Sequence, residues 1–204
     1  MKTGSIHPRW LSSMENKKIP AKLYLCATPI GNLEDITLRC LRILRGAAAV
    51  YCEDTRNTLK LMNHFEIKKT LISCHEHNEE QRANEIAERV RGGEAIAFVS
   101  DAGMPGVSDP GSRLVRFFVE NNLPFEVLPG ANAVLTAWVM SGLPTESLYF
   151  CGFIPRSGAE RSEAVERIKN SEATVVLYES PHRVAATFAD FSELFPNREC
   201  ALVR

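Results

Sequence analysis

The sequence predicts an α/β protein of two parts whose N-terminal sheet is mainly parallel. Short apolar runs alternate with amphipathic stretches from Lys22 to the end, the pattern of strand-helix units feeding a parallel sheet. The residues directly after those apolar runs are crowded with Gly, Pro, Asp, Glu and His, as expected where an open α/β sheet presents its ligand-binding edge. At 204 residues, 45% hydrophobic and 24% charged, the chain is long enough for one large core or two smaller domains sharing a cleft.

In chain order, KLYLCA, AAAVYC, TLISC, AIAFV and FEVL read as strands. Between them, DITLRCLRILRG repeats Leu38, Leu41 and Leu44 at helical spacing and ends on Gly46. EDTRNT opens another helix, with Thr55 or Asn57 capping it and Glu53 and Asp54 favoured by its dipole. EEQRANEIAERVRGG turns Ile86 and Val90 inward, and GSRLVRFFVENN supplies the next helix. ANAVLTAWVMSG is apolar nearly all round, which predicts a buried helix. A second set follows: the strand LYFCGF, a helix over GAERSEAVERIKN, the strand TVVLY and a helix over RVAATFADFSELF. Gly142 and Pro144 place the seam in SGLPTES, giving domains over 21–142 and 143–204 behind a structureless tail over 1–20.

A net charge of −1 excludes a globally polyanion-binding surface, so any nucleic-acid contact must come from a local basic patch. Six cysteines stand singly, several inside apolar runs where cysteine behaves as a small hydrophobe, and no CxxC occurs. With no apolar run of membrane-spanning length and no secretory-type h-region near Met1, the expected setting is the reducing cytoplasm.

The chemistry is expected after the strands, at TPIGN, EDTRNT, HEHNE, SDAGMPGVSDPG, PGANA, IPR and ESPHR. SDAGMPGVSDPG, residues 100–111, combines three glycines with two prolines, which together make a rigid backbone cradle. Neither GxxxxGK[ST] nor GxGxxG is present, which argues against a P-loop NTPase and the usual dinucleotide turn. Gly130 stands at a helix mouth whose free N–H groups suit a carboxylate, so the set fits a ligand with a ring, a ribose and a zwitterionic tail. His75 and His77 share a face only in extended backbone and have no distant ligand pair. HEHNE therefore reads as polar residues at a cleft rim, and no metal is expected. In ESPHR, Ser180 and Pro181 open a helix, leaving His182 and Arg183 to face solvent or a phosphate.

In this order LYLCATPIGNLEDITLR, CEDTRNT, HEHNE, FVSDAGMPGVSDPG, LPGANA, SGLP, FCGFIPR and YESPHR resemble the tetrapyrrole-methylase-like superfamily. Within it they are most similar to the ribosomal RNA small subunit methyltransferases that modify a cytidine 2′-hydroxyl of 16S rRNA. The resemblance implies a mainly parallel N-terminal sheet, a mixed C-terminal sheet and a cleft between the two domains for S-adenosyl-L-methionine. It also implies a homodimer acting on 16S rRNA in the small ribosomal subunit. Matched position by position, Asp101, Gly103, Met104, Gly106, Val107 and Ser108 correspond to the cofactor loop. Thr28, Pro29 and Gly31 correspond to the N-terminal glycine loop, and Ala131 and Asn132 to the segment facing the cofactor. Met104 replaces a usual threonine and Ala131-Asn132 a Pro-Ser pair. The chain ends at RECALVR where similar proteins continue through an Arg-Glu-Leu-Thr-Lys-like motif, so a shortened second domain is expected.

Methyl transfer to a 2′-hydroxyl asks for alignment of the reacting atoms and for a base; Glu53, Asp54, His75 and Glu179 are the candidates. Arg56, Arg156 and Arg183 are the candidates for RNA phosphate, since a planar guanidinium matches phosphate oxygens. Two alternatives remain open: methylation of a tetrapyrrole-like small molecule, because fold does not fix substrate, and a non-catalytic cofactor-binding dimer.

Overall fold

The computed structural model describes residues 19–204. The expected tail lies outside the described residues except for Ile19 and Pro20, which belong to the fold. Ile19 packs against the core, and the Pro20 carbonyl accepts from the Tyr24 hydroxyl at 3.1 Å. The chain divides into two compact units between Ala131 and Asn132.

In the first unit the strands are β1 (Leu23–Cys26), β2 (Ala49–Cys52), β3 (Leu71–Ser73), β4 (Ile96–Val99) and β5 (Phe125–Leu128). All pairs are parallel, in the order β3-β2-β4-β1-β5. The connecting helices are α1 (Leu38–Gly46), α2 (Thr55–His64), α3 (Glu79–Arg91) and α4 (Ser112–Glu120). The central strands are apolar throughout because both faces of the sheet are covered.

Alternate strand residues feed two different cores, as a period of two requires. Tyr24, Cys26, Val50, Cys52, Ala97 and Val99 pack with Ile43 and Leu44 of α1 and Met62 of α2. Leu23, Leu25, Tyr51, Ile96 and Phe98 pack with Ile86 and Val90 of α3 and with Leu114 and Phe118 of α4. The chain leaving β4 therefore crosses to one face, while the chains leaving its neighbours β1 and β2 cross to the other. This divergence makes the carboxyl end of β4 a topological switch point, the place where open α/β sheets bind ligands. Residues 100–111 emerge there.

The second unit contains α5 (Ala133–Met140), β6 (Leu148–Phe153), α6 (Gly158–Lys169), β7 (Thr174–Tyr178) and α7 (Val184–Leu194). β6 and β7 pair in parallel, with a register irregularity between Phe150 and Phe153. Among the described residues this second sheet is thus a parallel pair, where a mixed sheet was expected. Its core is Ile154, Ala164 and Ile168, with Tyr149, Val175, Leu177, Phe191 and Phe195 against them.

Two further expectations differ from the structure. The boundary falls before α5 and not at 142–143, because α5 packs on β7 and its Trp138 indole donates to the Pro144 carbonyl at 3.0 Å. Nor is α5 buried: Val134 is covered, but Leu135, Val139 and Met140 are 51%, 70% and 65% exposed. A two-stranded sheet is too narrow a strip to cover a helix that is apolar on every side.

Candidate functional site

The 100–111 loop is tied to both neighbouring strand ends. On the β1 side, Thr28 and Gly103 exchange backbone hydrogen bonds of 2.9 and 3.0 Å in an isolated antiparallel bridge. The Thr28 hydroxyl also donates to the Ser100 carbonyl at 3.4 Å. Gly103 has φ +79, a conformation that L side chains rarely adopt, and a Cβ there would lie 3.3 Å from Ile30 Cγ2. On the β2 side, the Asp101 carboxylate accepts from the Asp54 backbone N–H at 3.1 Å and from the Asn57 side-chain amide at 2.9 Å. The loop closes on itself through Gly106 N–H to the Pro110 carbonyl, 3.0 Å, and Val107 N–H to the Met104 carbonyl, 3.3 Å. Ser108 holds φ +60, a strained value for a residue with a side chain. Next to β1, Gly130 comes so near that a Cβ on it would meet the Ala27 Cβ at 2.7 Å. Its role is close packing of the β5 exit against the β1 exit.

Acidic residues of the loop, Asp101 and Asp109, stand beside Glu53 and Asp54 of the β2 exit. Burial, then the charges of Asp101 and Asp109, push the Glu53 carboxyl above its ordinary value, partly offset by a bond from the Asp101 backbone. Burial and Asp101 likewise raise Asp109, against a bond from Ser100. Asp54 goes the other way, to about 2, because the Arg56 side chain and backbone donate to it. Asp54 caps α2 through the Arg56 N–H at 2.8 Å, so the cap is Asp54 and not Thr55 or Asn57. Arg56 forms a 2.7 Å ion pair with Asp54, and its side chain is otherwise exposed.

HEHNE forms a turn and a strut. Asn78 accepts from the His75 backbone N–H at 2.8 Å and donates to the Ser73 carbonyl at 3.3 Å. The His75 and His77 rings make an edge contact at 5.9 Å, and no group of three or more His, Cys, Asp or Glu suited to a metal occurs among the described residues. Glu79, at the start of α3, is buried, and one of its oxygens accepts from Gly111 and Leu114 N–H at 3.0 and 2.9 Å. Sequence reasoning did not single out Glu79 or Asp109, and it read Asn57 only as a helix cap and not as a partner of Asp101. Their contacts join segments far apart in the chain, and the only signal was position beside motifs already noted.

In the second unit Asn132 caps α5, its side chain accepting from Leu135 N–H at 3.0 Å. Glu179 is enclosed: it accepts from the Thr187 hydroxyl and the Ser180 N–H, both at 2.7 Å, and pairs with Arg183 at 3.3 Å. Arg183 also donates to the Ile154 carbonyl at 3.2 Å. These two candidates hold the β6 and β7 exits together. Arg156 is exposed.

Comparison with known proteins agrees with this architecture. The family model described as tetrapyrrole (corrin/porphyrin) methylases matches residues 22–204. The chain belongs to this family. It is 46% identical over 192 residues to a ribosomal RNA small subunit methyltransferase I of Halalkalibacterium halodurans, covering 94% of this chain and 66% of that protein. A protein of the same name from Hydrogenobaculum is 44% identical over 184 residues, covering 90% of this chain and 80% of its own length. The chain thus spans just under two thirds of the Halalkalibacterium protein. Among solved structures, the uroporphyrin-III C-methyltransferase of Thermus thermophilus, complexed with S-adenyl homocysteine, shares the fold. Its TM-score is 0.59 at 20% identity, over 87% of this chain and 78% of that one.

Proposed function

We propose that the chain is an S-adenosylmethionine-dependent methyltransferase acting on a cytidine 2′-hydroxyl of 16S rRNA in the small ribosomal subunit, working in the cytoplasm as a homodimer. The observation that carries this is the 100–111 loop, tied to the β1 and β2 exits at the carboxyl end of a tetrapyrrole-methylase sheet and carrying Asp101 and Asp109 beside Glu53. The relatives of 44% and 46% identity, named as ribosomal RNA methyltransferases, favour RNA over a tetrapyrrole. No comparable observation supports a non-catalytic module.

The loop's chemistry fits the cofactor. Gly103 permits the positive-φ turn that shapes the loop's backbone, and the carboxylates of Glu53, Asp101 and Asp109 would suit a ligand carrying sulfonium and ammonium charges. Thr28, Pro29 and Gly31 line the β1 side, Asp101, Gly103, Met104, Gly106, Val107 and Ser108 form the cradle, and Ala131 and Asn132 follow the β5 exit. When bound, the cofactor supplies an electrophilic methyl group, whose S–CH3 bond breaks as an O–CH3 bond forms.

The protein's own work is to align the hydroxyl and accept its proton. Of the candidate bases Glu53 is favoured, because burial and the charges of Asp101 and Asp109 raise its carboxyl above its ordinary value, which makes it a stronger proton acceptor than an ordinary carboxylate. Asp54, held ionised by Arg56, is a poor proton acceptor, and Glu179 is committed to Thr187, Ser180 and Arg183. For RNA phosphate the exposed Arg56 and Arg156 are favoured over the enclosed Arg183. The test is transfer of labelled methyl from S-adenosylmethionine to 30S subunits, followed by 2′-O mapping. A labelled cytidine 2′-oxygen supports the proposal; label only on a tetrapyrrole, or cofactor binding without transfer, overturns it.

A further inference from the structure

HEHNE is a motif whose chemistry the proposed reaction does not use, and its last residue, Glu79, bonds the end of the 100–111 loop. The reason lies in how the loop closes. Gly106 N–H bonds the Pro110 carbonyl, folding the backbone back against Gly111. A Cβ at Gly111 would lie 3.1 Å from both the Gly106 nitrogen and Phe98 Cε1, and φ there is +126. The residue at the N-terminus of α4 must therefore be glycine, which has no side chain to cap the helix, and α4 makes no cap bond of its own. The acceptor comes instead from α3: a single Glu79 oxygen receives both the Gly111 and the Leu114 N–H. Glu79 is only 2% exposed, so losing its carboxylate leaves two buried N–H donors without their acceptor. Its negative charge also stands at the favourable end of the α4 dipole.

We infer that Glu79 is a positioning residue for the cofactor. Its buried carboxylate pins the C-terminal end of the 100–111 loop and so holds residues 103–108 in their binding shape before the ligand arrives. Asp101 and Gly103 tether the front of the loop to the β2 and β1 exits; Glu79 tethers the back. A loop fixed at both ends binds without the cost of ordering it. This inference rests on the reading of the loop as the cofactor site.

The test is calorimetric titration of the full chain with S-adenosylhomocysteine, comparing wild type with Glu79→Ala, Glu79→Gln and Ile86→Val. Glu79→Ala should raise Kd about tenfold, the loss of roughly one buried hydrogen bond's worth of preorganisation. Glu79→Gln keeps an acceptor oxygen and should stay within about threefold. Ile86→Val perturbs the same helix in the core only and should leave Kd unchanged. Hydrogen exchange on unliganded wild type adds a readout that needs no variant to fold: the Gly111 and Leu114 amides should exchange slowly. Rapid exchange at both amides, wild-type affinity in Glu79→Ala, or Glu79→Gln as weak as Glu79→Ala each overturn the inference. If wild type itself does not bind, the cofactor reading fails and this inference with it.

Discussion

Replacing Gly103 by alanine tests whether the loop's backbone geometry, as distinct from its charges, makes the site. Two costs can be read from the structure. At φ +79 an L residue with a Cβ is disfavoured by about 1–2 kcal/mol. The added methyl also meets Ile30 Cγ2 at 3.3 Å, a smaller cost because a half-buried side chain can shift by a few tenths of an ångström. For a chain of this size a loss of about 1–2 kcal/mol lowers Tm by about 2–8 °C, measurable by circular dichroism. Gly93→Ala is the control. Gly93 has φ +90, and a Cβ there meets nothing within 4 Å, so it carries the same backbone strain at the opposite, amino-terminal end of β4 from the loop. Both variants should lose similar stability, but only Gly103→Ala should weaken S-adenosylhomocysteine binding, because only it disturbs the bridge to Thr28. Equal binding by the two variants, or an unchanged Tm in Gly103→Ala, would refute the reasoning.

Gly130→Ala should cost about 1–3 kcal/mol by overpacking against Ala27, and adding Ala27→Gly should recover most of it in a double-mutant cycle followed by denaturant unfolding. Glu53 and Asp109 have raised folded values, so the stability linked to their neutral forms is full below their unfolded values and is lost as pH rises through the folded ones. In binding, the same protonation removes negative charge around a cationic ligand. Lowering the pH from about 7.5 to about 5 should therefore weaken S-adenosylmethionine more than uncharged-sulfur S-adenosylhomocysteine, and equal loss for both would contradict the acidic-rim account. In the second unit Thr187→Val deletes a 2.7 Å bond to the enclosed Glu179 and should cost about 1–3 kcal/mol in thermal unfolding.

The strands and helices were legible because each is a local pattern: LYLC, AVYC and IAFV are too apolar and too short to be anything but strands covered on both faces. The ligand-facing edge of the sheet was also legible, since polar residues gathered after the apolar runs. What stayed hidden depends on long-range geometry. Glu79 looks like the first turn of an amphipathic helix until Gly111 and Leu114 arrive beside it. Glu179 and Arg183 looked like a base and a phosphate ligand because a sequence shows charge but not enclosure. The helix Ala133–Met140 was read as buried from its composition, and composition does not reveal how narrow a surface it packs on.

The central claim is that the backbone cradle after β4 binds the cofactor. It is tested most directly by following backbone amide shifts of the chain as S-adenosylhomocysteine is added. The account predicts saturable shifts concentrated at Asp101, Gly103, Met104, Gly106, Val107 and Ser108, with Thr28 and Gly31 responding across the bridge. No saturable binding, or shifts that leave these residues unmoved, would contradict it.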